Sequence, residues 1–206
     1  MKLKELEKKL EGLQRLSSPS VQDEQYSTPP RIAASIVFDA TMRGDVENRR
    51  VADLGCGIGT FAIAAMIMGA TSAAGFDSDA RSIELATKNA LTMLPADRLS
   101  KTLFEVAEVE DVKGRYDTVF QNPPFGSQRR NADLPFIRKA LEIGDTIYTI
   151  HLGRTREFLK EKFEELGGKV EFEKAFIYQM PRMFHFHTKE KKGFELILFK
   201  VVKIQG

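Results

Sequence analysis

Two short stretches of this chain carry residue types that secondary structure alone does not call for. The first is Asp53-Leu54-Gly55-Cys56-Gly57-Ile58-Gly59-Thr60, which closes one apolar run and opens another. Glycines at a strand-to-helix turn let a ligand come against the main chain, and the amides that begin a helix face outward to meet it. Asp77 stands 22 residues after Gly55, at the end of the next apolar run. A carboxylate there can accept two hydrogen bonds from ribose hydroxyls. The glycine order departs from the dinucleotide fingerprint G-x-G-x-x-G, because Gly59 comes one place early and Thr60 holds the third glycine's position. That departure argues against a dehydrogenase. A tight turn accounts for the glycines taken singly, and a turn or cap for Asp77. Together, on consecutive strand-helix units, they favour a binding site.

The second stretch is Asn122-Pro123-Pro124-Phe125, which follows a strand-like run ending at Gln121. Two prolines fix the backbone and remove two N–H donors, leaving the Asn122 side-chain oxygen and the Pro123 carbonyl as acceptors. Such a pair suits an amine that carries two N–H bonds. An exocyclic or amide nitrogen is a poor nucleophile, since its lone pair is delocalised. Hydrogen bonds to both N–H groups favour pyramidal nitrogen, aim the lone pair and stabilise the positive charge that develops. Phe125 offers a face for a planar group to stack on, worth about 1–3 kcal/mol if that group is a base. Adenine and cytosine both fit. The other view of this tetrapeptide is a proline pair that ends a strand, with Phe125 in the core.

The elements that must hold these stretches alternate. Leu3, Leu6, Leu10 and Leu13 give residues 1–16 one apolar helical stripe, docked on the domain or pairing with a partner. Residues 17–30 form a Ser-, Pro- and Gln-containing connector over the surface. Then follow a helix at Ile32–Met42, a strand at Val51–Gly55, a helix at Gly59–Met68, a strand at Ala73–Asp77 and a helix at Asp79–Leu94. Strands at Leu103–Ala107 and Asp117–Gln121, a helix at Ala132–Ile143 and a strand at Thr146–His151 continue the pattern. Five short strands with crossovers predict a parallel sheet covered on both faces. Val170–Met180 and Phe194–Val202 lack a helix between them and are expected as antiparallel neighbours at the sheet edge.

Composition sets the outer bounds. With 206 residues, 42% of them apolar and 29% charged, the chain has the balance of a globular protein large enough to bury a core unaided. The single cysteine, Cys56, excludes an intrachain disulfide and a cysteine-based structural zinc site, and fits a reducing compartment, with the cytoplasm as the default. Cys56 reads as a packed small residue, since no base lies near it in sequence to generate a thiolate. The most continuous apolar stretch, Phe61–Ala70, is about half of what spans a bilayer, and residues 1–20 lack a signal-peptide pattern. The net charge of +2 does not announce a nucleic-acid protein. The charge is uneven, however, with six Lys or Arg against two Glu from Pro181 onward.

The motifs together resemble a known family. D-x-G-x-G-x-G is similar to motif I of the class I methyltransferases that use S-adenosylmethionine, and Asn122-Pro123-Pro124-Phe125 is similar to the [DNS]-P-P-[FYW] loop of amino-group methyltransferases. That loop is shared by adenine-N6 enzymes of DNA and RNA and by release-factor glutamine methyltransferases. Glu24-Gln25-Tyr26-Ser27-Thr28-Pro29, Val51–Gly57, Gly75-Phe76-Asp77 and Asn122–Gly126 narrow the resemblance to the methyltransferase-like protein five family, from about Leu3 to the C-terminus. It implies a seven-stranded, mostly parallel α/β sheet with an antiparallel C-terminal strand and helices on both faces. Residues 1–30 become an N-terminal helix and a connector that covers the cofactor, and 31–206 the methyltransferase domain. It implies N6 methylation of adenine in small-subunit ribosomal RNA, with the target base unpaired or flipped.

By the same resemblance the cofactor is held by Gln25, Thr28, Asp53, Gly55, Cys56, Gly57, Ile58, Gly59, Thr60, Asp77, Glu108, Val109 and Asn122. Tyr26 shapes the pocket, and the register of Glu108 is open because Glu105, Glu110 and Asp111 lie close by. Asn122, Pro123, Pro124 and Phe125 are the expected catalytic loop. A small zinc-ribbon activator is the implied partner, adding a strand at the edge near Leu103–Val106.

For RNA, Arg129 and Arg130 follow the catalytic loop, and Arg182, Phe184, His185, His187 and Lys189 place cations and rings together. A solvated loop and a strand with buried phenylalanines are the competing views. His185-x-His187 has no further ligand at metal spacing, so no metal is expected. Two other functions stay open: glutamine methylation of a release factor, disfavoured by Phe125 and by the lack of an extra N-terminal domain, and a non-catalytic RNA-binding assembly factor.

Overall fold

The structure, a computed structural model, describes residues 1–16, 28–124, 132–178 and 194–204. Chain order is α1 (Leu3–Glu11), α2 (Pro30–Met42), β1 (Arg50–Leu54), α3 (Thr60–Ile67), β2 (Ser72–Asp77), α4 (Ala80–Met93) and α5 (Ala96–Leu99). Then come β3 (Thr102–Val106), β4 (Tyr116–Gln121), α6 (Leu134–Ile143), β5 (Gly144–Leu152), α7 (Arg156–Glu165), β6 (Gly168–Tyr178) and β7 (Phe194–Lys203). The strands form one seven-stranded sheet in the order β3-β2-β1-β4-β5-β7-β6. The first five are parallel, and β7 runs antiparallel between β5 and β6, as expected.

Two apolar layers sandwich the sheet. On one face, α1, α2 and α3 bury Leu6, Leu10, Ile36, Val37, Ile63 and Met66 against Val51, Phe120, Tyr148 and Leu198. α3 is apolar on every side, and its residues Thr60–Met66 are all buried, because it lies between the sheet and α1 and α2. On the other face, Ile137 and Ala140 of α6 and Leu159 and Phe163 of α7 cover Leu54, Val119, Ile147 and Phe199.

The differences from the sequence reading have local causes. α1 stops at Glu11, where Gly12 forms the cap, although Leu13 still points into the core; the helical stripe outlasts the helix. α6 starts at Leu134 rather than Ala132, with Asp133 at the cap position and Pro135 in the first turn. α7 and the single turn α5 lie where the sequence pattern offered no element. α7 buries only Leu159 and Phe163 in a run otherwise dominated by charge, so its stripe is thin. Among the described residues no helix is long and apolar enough to cross a membrane.

Candidate active site

The sheet order reverses between β1 and β4, the switch point at which open α/β sheets leave a crevice beyond the carboxyl ends of their strands. In register, Leu54 pairs with Phe76 on one side and with Gln121 on the other. The next residues, Gly55, Asp77 and Asn122, therefore leave three adjacent strands side by side. Strand spacing is about 4.8 Å, so the glycine loop, the acid and the proline loop share one mouth.

Local structure explains the glycines. Gly55, Gly57 and Gly59 all have positive φ, at 65°, 52° and 82°. A Cβ on Gly57 would meet nothing within 4 Å, which is the open cradle a ligand needs. A Cβ on Gly59 would lie 2.9 Å from the Phe104 ring, so that glycine serves packing as well as conformation. Cys56 is buried in the turn, its amide donating to the Phe76 carbonyl at 2.9 Å. Burial, reinforced by Asp53 and Asp77, pushes its thiol well above the ordinary range, which keeps it protonated and unreactive. Ile58 and Thr60 are buried, Thr60 as the first residue of α3.

The acids differ in their surroundings. Asp77 Oδ2 accepts from the Gly57 amide at 2.8 Å, and Oδ1 from the Asp79 amide at 2.9 Å. Asp53 is buried, and its Oδ2 accepts from the Ala62 amide at 3.0 Å. Burial pushes its carboxyl up to about 7; the amides of Ala62 and Phe61 oppose that rise, while Asp77 adds to it. Its Oδ1 is buried with no hydrogen-bond partner among the described residues. An orphaned carboxylate oxygen beside an open glycine cradle calls for a cationic donor. S-adenosylmethionine fits this donor set: an ammonium for Asp53, ribose hydroxyls for Asp77 and exposed backbone for the rest.

Asn122 is half-buried, its Oδ1 fully enclosed, and Pro123 is buried beside it. Thr28 is buried at the entry to α2. Glu108 is exposed ahead of a short 3-10 turn, and Val109 in that turn packs against the second core layer. Gln25, Tyr26, Phe125, Arg129, Arg130, Arg182, Phe184, His185, His187 and Lys189 lie outside the described residues.

One residue that the sequence reading did not single out holds two parts of the site together. Asn89 of α4 is buried and donates to the carbonyls of Gln14 and Ile58, both at 3.1 Å, while accepting from the Gln14 amide at 2.9 Å. It thereby ties the glycine loop to the residues that lead into the connector. An Asn in the middle of an amphipathic helix was the only available sign of it.

The methyltransferase small domain family matches residues 33–146. The rRNA N(6)-adenosine-methyltransferase Mettl5 of Drosophila melanogaster is 31% identical, over 95% of this chain and 94% of its own length. An uncharacterized protein of Methanocaldococcus jannaschii is 37% identical over 99% of this chain and 95% of its own. The crystal structure of a candidate RNA methyltransferase from Pyrococcus horikoshii superimposes with a TM-score of 0.89 at 32% identity, covering 100% of this chain and 99% of that one. A fold whose crevice opens onto a glycine cradle, and relatives that run nearly end to end with it, lead to one conclusion: the chain belongs to the methyltransferase small domain family, in its METTL5 branch.

Proposed function

We propose that the protein methylates the N6 amino group of an adenine in small-subunit ribosomal RNA. The observation that carries this reading is the register that sets Asn122 beside Gly55, so that an amine held by the proline loop faces whatever the glycine cradle holds. S-adenosylmethionine, the cofactor of this family, supplies the methyl as an electrophile on a sulfonium. Asp77 orients the ribose, and Asp53 takes the ammonium. Asn122 Oδ1 and the Pro123 carbonyl accept the two N–H bonds of the adenine amine, which turns its lone pair toward the methyl. As the N–C bond forms and the methyl's bond to sulfur breaks, leaving a neutral thioether, both acceptors would meet the positive charge that grows on nitrogen. The surplus proton leaves to solvent afterward. Phe125 stacks the base. Thr28 with Gln25, and Val109 with Glu108, complete the pocket around the cofactor.

The zinc-ribbon activator belongs to the same reading. β3 is an edge strand, and Leu103 and Val106 on it are 54% and 50% exposed, an apolar edge that a partner strand would cover. The basic residues Arg129, Arg130, Arg182 and Lys189 meet RNA phosphates, with Phe184, His185 and His187 against unpaired bases. The cytoplasm is the compartment this reaction implies.

The deciding experiment is transfer of a labelled methyl group to purified small-subunit ribosomal RNA, with and without the zinc-ribbon partner, followed by nucleoside analysis. Label is expected in N6-methyladenosine. Label in a glutamine of a release factor, or none in any RNA despite cofactor binding, would overturn the assignment.

A further inference from the structure

Among the described residues, the buried positions of the sheet face beneath α6 and α7 are apolar except for one row at its carboxyl end. Gln121 of β4 pairs in register with Thr149 of β5, and His151 follows two residues on, pointing to the same side. All three are buried. Gln121 Nε2 donates to Thr149 Oγ1 at 3.0 Å, Thr149 Oγ1 lies 2.7 Å from His151 Nε2, and His151 Nδ1 lies 3.3 Å from Asp133 Oδ2. Phe163 and Phe199 wall the imidazole, each ring 6.3 Å from it.

These contacts fix one direction. The Asp133 carboxylate only accepts, so His151 carries its proton on Nδ1 and leaves Nε2 bare. The Thr149 hydroxyl then donates to Nε2 and keeps a lone pair for the Gln121 amide. Burial, which holds the imidazole below its ordinary range although Asp133 pulls the other way, accords with the neutral ring. The orientation of Gln121 is thus dictated from Asp133, through two side chains.

Stability does not account for the row. Buried polar groups are worth their desolvation only when every one is satisfied, and Gln121 Oε1 has no hydrogen-bond partner among the described residues. Asp133 stands at the cap of α6 yet makes no side-chain cap bond; its carboxylate is directed to His151 instead. What the row does have is position. Gln121 immediately precedes Asn122, and Asp133 comes 11 residues after it, so the row joins the two flanks of the proline loop.

We propose that Gln121, Thr149, His151 and Asp133 are positioning residues for methyl transfer: a directed hydrogen-bond row that holds Asn122 and Pro123 in the orientation the amine requires. The inference rests on the reading of that loop as the acceptor site. The four act through the loop rather than on the reacting atoms.

The test compares Thr149→Val, which keeps the volume and removes the hydroxyl, with Thr149→Ser, which keeps the hydroxyl, in the full chain. Thr149→Val is expected to lower kcat about tenfold or more with KM for S-adenosylmethionine unchanged, and Thr149→Ser to restore it to within about twofold. Amide exchange at the described flanks of the loop, in peptides covering 117–122 and 133–140, is expected to quicken in Thr149→Val, while peptides covering the glycine loop keep their protection. Wild-type kcat in Thr149→Val, or equal impairment of both variants with equal loss of Tm, would overturn the proposal. A wild-type protein that methylates no RNA would overturn the assigned reaction instead. Exchange then decides this inference alone: unchanged protection over 117–122 and 133–140 in Thr149→Val would refute it.

Discussion

The Asp77 carboxylate bridges two amides from different turns: Oδ2 accepts from Gly57 and Oδ1 from Asp79, at 2.8 and 2.9 Å. It braces the glycine cradle against the start of α4, at the strand end where a carboxylate can accept from ribose hydroxyls. Asp77→Asn places an NH2 group against one of those amide donors and removes the charge. Cofactor affinity is expected to fall about tenfold or more, in line with the roughly 1.5–3 kcal/mol of a hydrogen bond to a charged group. Calorimetric titration with S-adenosylmethionine reads this directly, and unaltered affinity would confine Asp77 to a role in the turn.

Asp53 is expected to make cofactor binding depend on pH. Its carboxyl ionises at about 7 in the folded chain, against an ordinary 3.8. The folded state therefore holds a proton that the unfolded chain has released, and stability from this group is lost as pH rises from 3.8 through about 7, on the order of 4 kcal/mol in all. A cation at Oδ1 lowers that pKa, so binding expels the proton and tightens as pH rises through about 7. Thermal unfolding with and without S-adenosylmethionine, from about pH 5.5 to about pH 8, is expected to show a ligand-induced rise in Tm that grows with pH. A rise of constant size would remove Asp53 from the ammonium site.

Asn122→Ala separates catalysis from binding. Loss of one acceptor at the developing charge is expected to cost about a hundredfold or more in kcat. Label in N6-methyladenosine should all but vanish while Tm and RNA binding stay near wild type. Turnover within a few-fold of wild type would leave the proline loop without its assigned chemistry.

Gly59→Ala tests whether the cradle is also a packing joint. The new methyl must occupy a positive φ and lie 2.9 Å from Phe104 and 3.1 Å from the Ala86 side chain. Strain and overpacking together are expected to cost about 2–4 kcal/mol, measured by urea denaturation. A change below about 0.5 kcal/mol would mean that Phe104 moves aside freely.

Asn89→Ala leaves the Gln14 amide and the Gln14 and Ile58 carbonyls without their partner. A loss of about 1–3 kcal/mol is expected. KM for S-adenosylmethionine should rise more than KM for RNA, because the bond to Ile58 reaches the cofactor loop. Equal effects on both would reduce Asn89 to a clamp on α1.

Much of this was readable from residue order. Gly55, Gly57, Asp77 and Asn122 stand together at one edge of the sheet, as residue order predicts, because strand ends carry their loops to one edge whatever the strand lengths. α7 was missed because two buried residues, Leu159 and Phe163, make too narrow a stripe against its charges. The Gln121–Thr149–His151 row could not be read, since it exists only across strands: alternation put each residue on a face, but the β4–β5 register made them neighbours. Asn89 escaped for the same reason. A polar residue on a helix reads as solvated until the turn it reaches is known.

The placement of β7 has a consequence for how the protein is made. Among the described residues β6 pairs only with β7, which is synthesised later, and β5, already beside β4, gains its second neighbour from the same strand. The glycine cradle and the proline loop leave the ribosome well before either strand has its neighbour. Phe199, one wall of the His151 ring, arrives with that same late strand. A nascent chain thus carries every member of the Gln121–Thr149–His151–Asp133 row before it carries the Phe199 wall beside His151, and the sheet is complete only when the later-made strand enters between two that precede it in the chain.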